Sequence, residues 1–236
     1  MIKAILFDLD GTLLPMDEKK FTELYFSLLA KKMYPLGYDP KHLIDAIMSG
    51  LKRMYGNNGT KTNEEVFWQS FNDCYGEDKT KDGDTFLSFY QNEFSSTQCA
   101  THYNPYAKEI ISYCKKKFRN VILSTNPIFP KEAQMMRLSF LDLKIDDFDF
   151  VSDYSNSSFC KPNPNYFRNI LERFSLLPDE VVLFGNDYVE DGDCASSLGI
   201  RTYLIDGCLL HKEKSLKDYP VIKMDEVIPT LERMAA

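Results

Sequence analysis

The sequence lacks the features that direct a protein to a membrane or to nucleic acid. No apolar run approaches the ~20 residues that a membrane-spanning helix requires. Asp8 and Asp10 interrupt the amino-terminal stretch in which a signal peptide needs an unbroken apolar region. Basic residues are in the minority, with a formal net charge of -7, whereas nucleic-acid binding relies on clustered Lys and Arg. We therefore expect no membrane and no nucleic acid among its partners, although a small phosphorylated molecule needs only one or two local cations.

Cysteine and histidine are also arranged without the spacing of a metal site. The six cysteines show no C-x-x-C pair, and dispersed free thiols predict a reducing compartment, so we expect a cytoplasmic protein. The three histidines, His42, His102 and His211, lie far apart, and we expect each to be a surface or satisfied side chain. With 236 residues, 44% of them apolar, the chain can form one large domain or a core with an insertion.

What the sequence does contain is a short apolar run that ends in two acids, within the segment Lys3 to Leu14. Ala4 to Phe7 is typical of a strand buried on both faces. Asp8 and Asp10 follow at a spacing that presents two carboxylates to one spot, and Gly11 permits a sharp turn. Buried carboxylates need a cation or a proton, which favours a reaction centre. The alternative is a strand that ends in an Asx turn with both acids solvated.

The next part of the chain has helical periodicity and no second buried strand up to about Thr101. A capping box, Thr62 with Glu65, marks the start of one helix. This segment contains more aromatic residues than one inserted helical hairpin could bury, so we predict a separate helical subdomain. Its predicted helices span about Asp17 to Met33, His42 to Tyr55, a segment beginning near Thr62, and Thr85 to Phe94.

From Asn104 onward, strands alternate with helices, which predicts an α/β fold with a doubly wound, Rossmann-like parallel sheet. Ligands of such sheets bind outside the carboxyl ends of the strands. The predicted strands are Asn120 to Ser124, Phe148 to Ser152, Val181 to Phe184 and Arg201 to Ile205. The predicted helices are Pro105 to Lys117, Pro130 to Leu141, Asn163 to Phe174, Asp191 to Leu198 and Glu226 to Met234.

Polar residues follow three of the predicted strands. They are Asp8 and Asp10; Ser124, Thr125 and Asn126; and Asn186 and Asp187 with Glu190, Asp191 and Asp193 close behind. Acids grouped at neighbouring strand ends suit a hard cation such as Mg²⁺, and hydroxyl and amide donors suit a phosphate. Asp191 and Asp193 can alternatively be helix-start acids that favour the helix dipole. Lys161 precedes the rigid P-N-P segment, where it can neutralise phosphate charge or pair with the acids.

D-L-D-G-T-L, S-T-N, K-P-N-P and G-N-D…E-D, in this order, resemble the four motifs of the haloacid dehalogenase-like hydrolase superfamily. Each later motif is short, but each falls at a predicted strand end or helix lead-in. The helical insertion after the first motif resembles the C1-type cap of that family. The resemblance implies an α/β core of residues 1–14 and 105–236 and a cap of residues 15–104, which closes over the site and controls water access.

The resemblance also implies residue roles in a Mg²⁺-dependent hydrolase of small phosphomonoesters. Asp8 matches the nucleophile that forms an aspartyl-phosphate, and Asp10 matches the general acid and base. Asp8 and the backbone carbonyl of Asp10 match two Mg²⁺ ligands. Thr125 and Asn126 match the phosphate-binding second motif, with the Thr125 hydroxyl on phosphate, and Lys161 matches the third-motif cation.

The fourth motif departs from the commoner pattern of the family. Asp187 and Asp191 would complete the acidic motif, but alignment on Asp191 places the usual first Asp at Asn186. Either Asn186 supplies a neutral oxygen ligand or Asp187 turns inward. We favour Asp187 as the metal ligand, because its full charge compensates the cation better.

Several alternatives stay open at this point. Asp10 argues against dehalogenation, because a halide leaving group needs no proton. A sugar phosphomutase keeps the same acids, and a phosphonate hydrolase needs a cap lysine as Schiff base. Candidates for that lysine are Lys19, Lys20, Lys31, Lys32 and Lys41. A non-catalytic binding or regulatory protein is the hypothesis from another class. The cap aromatics Phe67, Trp68, Phe71 and Tyr75 are expected to form the core of the cap. The sequence indicates a small phosphorylated metabolite as partner but neither its identity nor the oligomeric state.

Overall fold

A parallel six-stranded sheet, in the order β3-β2-β1-β4-β5-β6, organises the computed structural model, which describes residues 1–215 and 217–235. Helices flank the sheet, which confirms the predicted doubly wound α/β fold. The strands are β1 (Ala4–Phe7), β2 (Asn120–Leu123), β3 (Phe150–Val151), β4 (Val181–Gly185), β5 (Arg201–Ile205) and β6 (Val221–Ile222). The two-residue β6 was not predicted, since so short a segment carries no periodicity.

Strand β1 lies at the centre of the sheet because its side chains are apolar on both faces. It pairs in parallel with β2 and β4, with Leu6 opposite Ile122 and Leu183. Ile5 and Phe7 belong to one hydrophobic cluster, whereas Ala4 and Leu6 belong to the cluster on the other face. The carboxyl ends of three neighbouring strands therefore meet at one edge, with β1 in the middle.

Four α-helices follow β1 before the chain reaches Thr101. They are α1 (Glu18–Met33), α2 (Pro40–Tyr55), α3 (Asn63–Tyr75) and α4 (Gly83–Gln91). The capping box of Thr62 and Glu65 at the start of α3 is confirmed. Helix α2 begins two residues earlier than predicted, since Pro40 occupies its first turn after an Asp39 cap. Instead of a helix to Phe94, α4 ends at Gln91 and a 3₁₀ segment, Glu93–Ala100, follows.

The α-helices that follow in the described residues are α5 (Ala107–Lys117), α6 (Lys131–Ser139), α7 (Asn165–Phe174), α8 (Cys194–Ser196) and α9 (Val227–Ala235). A π-helical turn, Tyr188–Asp193, precedes the short α8 where we had predicted one regular helix from Asp191. Such turns are frequent at functional sites. In the described residues, no helix is both long and apolar enough to cross a membrane.

The two chain segments that connect the helical insert to the sheet run side by side. Met16 and Thr101 form an antiparallel bridge, and the Asp17 amide donates to the Ala100 carbonyl at 2.9 Å. The start of α3 contacts the core, where the amides of Asn63 and Glu64 each donate to a loop carbonyl at 2.8 Å. The division into a core of residues 1–14 and 105–236 and a cap of residues 15–104 stays a prediction.

Candidate active site

The first motif is shaped by the turn that follows β1. The Asp8 amide continues the sheet by donating to the Phe184 carbonyl at 2.9 Å, which fixes the position of the Asp8 backbone. Gly11 has φ +80°, and a Cβ atom at this position would collide with the Asn186 side chain. This glycine therefore lets the loop after β1 and the loop after β4 meet.

A buried charge network connects three of the predicted motifs. Lys161 Nζ donates to Asp8 Oδ1 at 2.8 Å and to Asp191 Oδ1 at 2.6 Å, and the lysine is only 1% exposed. Asp191 Oδ2 accepts the backbone amides of Asn186 and Asp187, each at 3.1 Å. Lys161 thus touches the predicted nucleophile directly, and Asp191 holds the lysine instead of being a solvated helix-start acid.

Burial sets the protonation of this network. Burial raises the pKa of Asp8 to about 8, against the attraction of Lys161. Burial alone would lower the pKa of Lys161, but Asp191 and Asp8 raise it well above its ordinary value. The lysine is therefore a fixed positive charge, and Asp8 needs a further cation before its charged form is fully favoured.

Arg137 of α6 is a site residue that the sequence analysis missed. Its guanidinium forms an ion pair with Asp10 Oδ2 and a hydrogen bond with Gln134 Oε1, and it lies 4.7 Å from the ring centroid of Phe129. Arg137 is fully buried. The sequence did contain a signal for Arg137. It lies one helical turn after Ala133, on the same face of α6, and a charged residue on an otherwise buried face is unusual unless it is paired.

The remaining oxygen of Asp10 has no such partner. Asp10 Oδ1 is buried and forms no hydrogen bond within residues 1–215 and 217–235, and Asp10 lines the large cavity of the protein. A buried acceptor without a donor is costly unless a ligand supplies one. Asp10 is therefore held by Arg137 through one oxygen while the other is available to a bound molecule.

The fourth motif places Asn186 and Asp187 in different surroundings. Thr12 Oγ1 lies 3.1 Å from Asn186 Oδ1 and 3.3 Å from Asp8 Oδ2, which brings Asn186 to the nucleophile. Asp187 Oδ1 accepts the amides of Val189 and Glu190 at 2.8 and 3.0 Å. Asp187 is thus the amino-terminal cap of the π-helical turn, and this structural role accounts for an acid at this position.

His211 lies at the site, although it was predicted only to be a surface or satisfied side chain. Its Nδ1 is 2.6 Å from Asp187 Oδ2, and the residue is half-buried and lines the cavity. Asp187 therefore uses both carboxylate oxygens within the protein. The sequence carried no signal for this pair, because His211 follows β5 on a loop 24 residues further along the chain.

The second motif is held rigidly. The Thr125 carbonyl accepts hydrogen bonds from Ser152 Oγ at 2.6 Å and Tyr166 Oη at 2.9 Å. Asn126 Oδ1 accepts the Lys161 amide at 3.2 Å, and Asn126 Nδ2 donates to Glu190 Oε2 at 2.9 Å. Thr125 and Asn126 both line the cavity beside Lys161. All the predicted site residues are therefore brought to one edge of the sheet.

The donor set fits a hard divalent cation. The site holds four carboxylates, those of Asp8, Asp10, Asp187 and Asp191. Their partners are the cations Lys161 and Arg137, and His211. With all four carboxylates ionised and the histidine neutral, the net formal charge of this group is two negative. Mg²⁺ is bound through one or two carboxylates and further oxygens. Over the described ranges, no cluster of three or more His, Cys, Asp or Glu side chains forms a metal site by itself. A cation here would therefore also need a backbone or amide oxygen.

The site opens into one large cavity of about 890 Å³ between the sheet edge and the helices α1 to α4. Phe67 and Trp68 line it and are half-buried, whereas Phe71 is fully buried in the core between these helices. The predicted cap core thus includes side chains that also face the cavity. None of Lys19, Lys20, Lys31, Lys32 and Lys41 is among the described residues that line it, so these lysines give no support to Schiff-base chemistry.

This fold and site define the class of protein. A family model described as haloacid dehalogenase-like hydrolase matches residues 2–199, so the chain belongs to that family. Solved structures of similar fold include phosphatases and dehalogenases. Together with relatives named as phosphatases, the family match identifies a hydrolase of the phosphatase type.

Individual relatives differ in how much of the chain they share. Pyrophosphatase PpaX of Bacillus mycoides (strain KBAB4) is 22% identical, and the alignment covers 99% of this chain and 98% of the relative. Acyl-CoA dehydrogenase family member 10 of Mus musculus is 31% identical over 51% of this chain, but only 11% of the mouse protein is covered. The HAD-hydrolase YfnB of Bacillus subtilis, solved with magnesium bound, has a TM-score of 0.58 at 19% identity and covers 98% of both chains.

Proposed function

We propose that this protein is a Mg²⁺-dependent hydrolase of small phosphomonoesters that acts through an aspartyl-phosphate on Asp8. The observation that carries the proposal is the pairing of two acids with two different buried cations at the floor of one cavity. Asp8 contacts Lys161 at 2.8 Å, and Asp10 forms its ion pair with Arg137. One acid is thus placed as nucleophile beside a phosphate-neutralising cation, and the other is held apart as a proton carrier.

In the first half of the reaction, Asp8 attacks phosphorus and the ester bond to the alcohol breaks. Lys161 Nζ can donate to the phosphoryl oxygens while Asp191 holds it in place. Thr125 and Asn126 line the same cavity, and the Thr125 hydroxyl would supply a further donor. Asp10 gives its proton to the departing alcohol oxygen.

In the second half, Asp10 takes a proton from water, which attacks the phosphorus of the aspartyl-phosphate and releases Asp8. The same carboxyl thus serves as acid and then as base. Arg137 acts on the chemistry through Asp10, so it is a positioning residue: it binds one oxygen and directs the other to the cavity.

The cation would be held by the Asp8 carboxylate, the Asp10 backbone carbonyl and one oxygen of the fourth motif. The sequence favoured Asp187 for that last ligand, but Asp187 caps the π-helical turn through Oδ1 and contacts His211 through Oδ2. Thr12 Oγ1 contacts both Asn186 Oδ1 and Asp8 Oδ2, which places the Asn186 oxygen next to the nucleophile, so we now propose Asn186. When bound, Mg²⁺ neutralises phosphate charge and makes attack by an anionic carboxylate tolerable.

The test is release of inorganic phosphate from a panel of small phosphomonoesters, measured with Mg²⁺ and with chelator. Wild-type protein should turn over at least one ester only with the metal, and Asp8→Asn should be inactive. Asp179→Asn changes an exposed acid in the 3₁₀ helix Pro178–Glu180 before β4; it is the control and should retain activity. Turnover that survives in Asp8→Asn would refute the covalent route. Phosphate transfer between two hydroxyls of one sugar, without net release, would indicate a mutase instead.

A further inference from the structure

The cavity extends well beyond the space that a phosphate group occupies. Its volume of about 890 Å³ lies in the upper part of the range found for sites of drug-sized ligands. It reaches from Asp8 at the sheet edge to the interior face of helices α1 to α4. The alcohol portion of a bound phosphomonoester would therefore project among the cap helices.

Much of the wall of this extension is apolar and aromatic. Side chains that line it while remaining half-buried have surface left for a ligand to cover. Six of these are Phe26, Leu51, Phe67, Trp68, Leu87 and Phe129. Aromatic rings favour offset or edge-to-face contact with another ring, so this wall suits a hydrocarbon or aromatic body better than a polyhydroxylated sugar.

The ionisable side chains that line the extension are mainly acids. Acidic side chains enter the lining from three cap helices and from the π-helical turn: Glu18, Glu64, Glu65, Asp84 and Glu190. Among the described lining residues away from the catalytic acids and Lys161, the basic groups are Lys81 and the titratable His211. The Lys81 side chain is 61% exposed and already contacts Glu77 at 3.5 Å. Burial raises the pKa of Glu18 and Glu64, and that of Glu190 to about 7. A second phosphate or a carboxylate on the substrate would disfavour the charged forms of these acids further and would find no buried cation among the described residues of the extension.

We infer that the substrates are monophosphate esters of alcohols that carry an aromatic or hydrocarbon body and no second anionic group. This inference rests on the proposed phosphatase function and deepens it. Bisphosphates and phosphorylated carboxylic acids that place a second anion among these acids are poor substrates for the same reason. A neutral or amine-bearing aromatic alcohol is accepted.

The kinetic test compares esters whose leaving alcohols have similar acidity, so that only the contacts in the cavity differ. Phenethyl phosphate should be hydrolysed with kcat/KM at least about tenfold above that of ethyl phosphate, since even one apolar group in a pocket discriminates by this factor. Carboxyphenethyl phosphate should lose most of that advantage. Equal values for phenethyl and ethyl phosphate would overturn the inference while leaving the phosphatase proposal intact. Hydrolysis of none of the esters with Mg²⁺ would overturn both.

Binding can be followed without turnover, because Trp68 is the single tryptophan of the chain and lies on the cavity wall. Phenylpropylphosphonate, a non-hydrolysable analogue of phenethyl phosphate, should change the fluorescence of Trp68 at a concentration at least about tenfold lower than propylphosphonate does. Matching concentrations for the two phosphonates would refute the assignment of the apolar subsite.

Two variants test whether the apolar cavity wall causes the preference for phenethyl phosphate. Leu87→Ala, on α4 at the cavity wall, should lower the ratio of kcat/KM for phenethyl over ethyl phosphate. Met135→Ala removes a half-exposed apolar side chain of α6 outside the cavity lining and should leave the ratio as in wild type. A ratio that falls equally in both variants would contradict the assignment. The wild-type fluorescence titration decides the question if Leu87→Ala does not fold.

Discussion

Replacement of Lys161 by methionine tests whether the buried charge network stabilises the fold as well as the reaction. Methionine has a similar length but no charge, so Asp8 and Asp191 would be left facing each other, 9% and 1% exposed in their side chains. Removing one partner of a buried ion pair costs about 3–5 kcal/mol. We expect the lower end, about 3 kcal/mol, because Asp191 keeps its two backbone donors and burial already favours protonation of Asp8.

Urea unfolding in chelator, followed by circular dichroism and by Trp68 fluorescence, measures this loss. With a slope of roughly 3 kcal/mol/M, the midpoint should fall by about 1 M. Lys115→Met is the matched control, because Lys115 contacts Asp149 at the same 2.8 Å distance but in an exposed pair. That variant should lose no more than about 1 kcal/mol. Asp191→Asn added to Lys161→Met should restore part of the loss, since it removes one uncompensated charge.

An unfolding free energy of Lys161→Met within about 1 kcal/mol of wild type would refute the reasoning, because exposed pairs already reach that value. It would mean that water or a local rearrangement neutralises Asp8 and Asp191 without the lysine.

Three further predictions concern the acids and their partners. Arg137→Gln should lower kcat/KM for ethyl phosphate by roughly tenfold or more, and should lower it much less for p-nitrophenyl phosphate, whose leaving group needs no proton from Asp10; kcat/KM reports the steps up to release of the alcohol, so equal losses in it on both esters would contradict a positioning role. Asn186→Ala should raise the Mg²⁺ concentration needed for half-maximal activity more than Asp187→Ala does, and the reverse order would return the ligand role to Asp187. In chelator, the free energy of unfolding should fall between about pH 5 and about pH 8, because the raised pKa of Asp8 makes the folded state bind more protons than the unfolded state, and Asp8→Asn should flatten this slope.

Much of the fold was predictable because its signals are local. The apolar run of β1, the capping box at Thr62 and the alternation of strands and helices each lie within a few residues, and the structure confirms them. The predicted helix ends were less accurate than the predicted helices, since a proline such as Pro40 can begin a helix as well as interrupt one. In the structure Lys161 contacts both Asp8 and Asp191. The two acids could be expected to lie close together, because they follow the neighbouring parallel strands β1 and β4, which end on the same side of the sheet.

The contacts that decide the chemistry were not predictable in the same way. Arg137 reaches Asp10 across 127 residues of sequence, and His211 reaches Asp187 from a loop without a motif. Neither pair has a spacing rule, because the fold and not the local chain sets their distance. The roles of the site residues stay predictions until the variants are measured.

By itself, the sequence determined the class of fold, the order of the motifs and the residues that could carry phosphoryl chemistry, since each depends on neighbours along the chain. Only the tertiary structure decided which acid meets which cation, which oxygens remain free for a ligand, and what surrounds the alcohol of a bound ester. The acidic and aromatic wall of the cavity is assembled from helices that are separate in sequence, so its character emerges only when those helices pack over the end of the sheet.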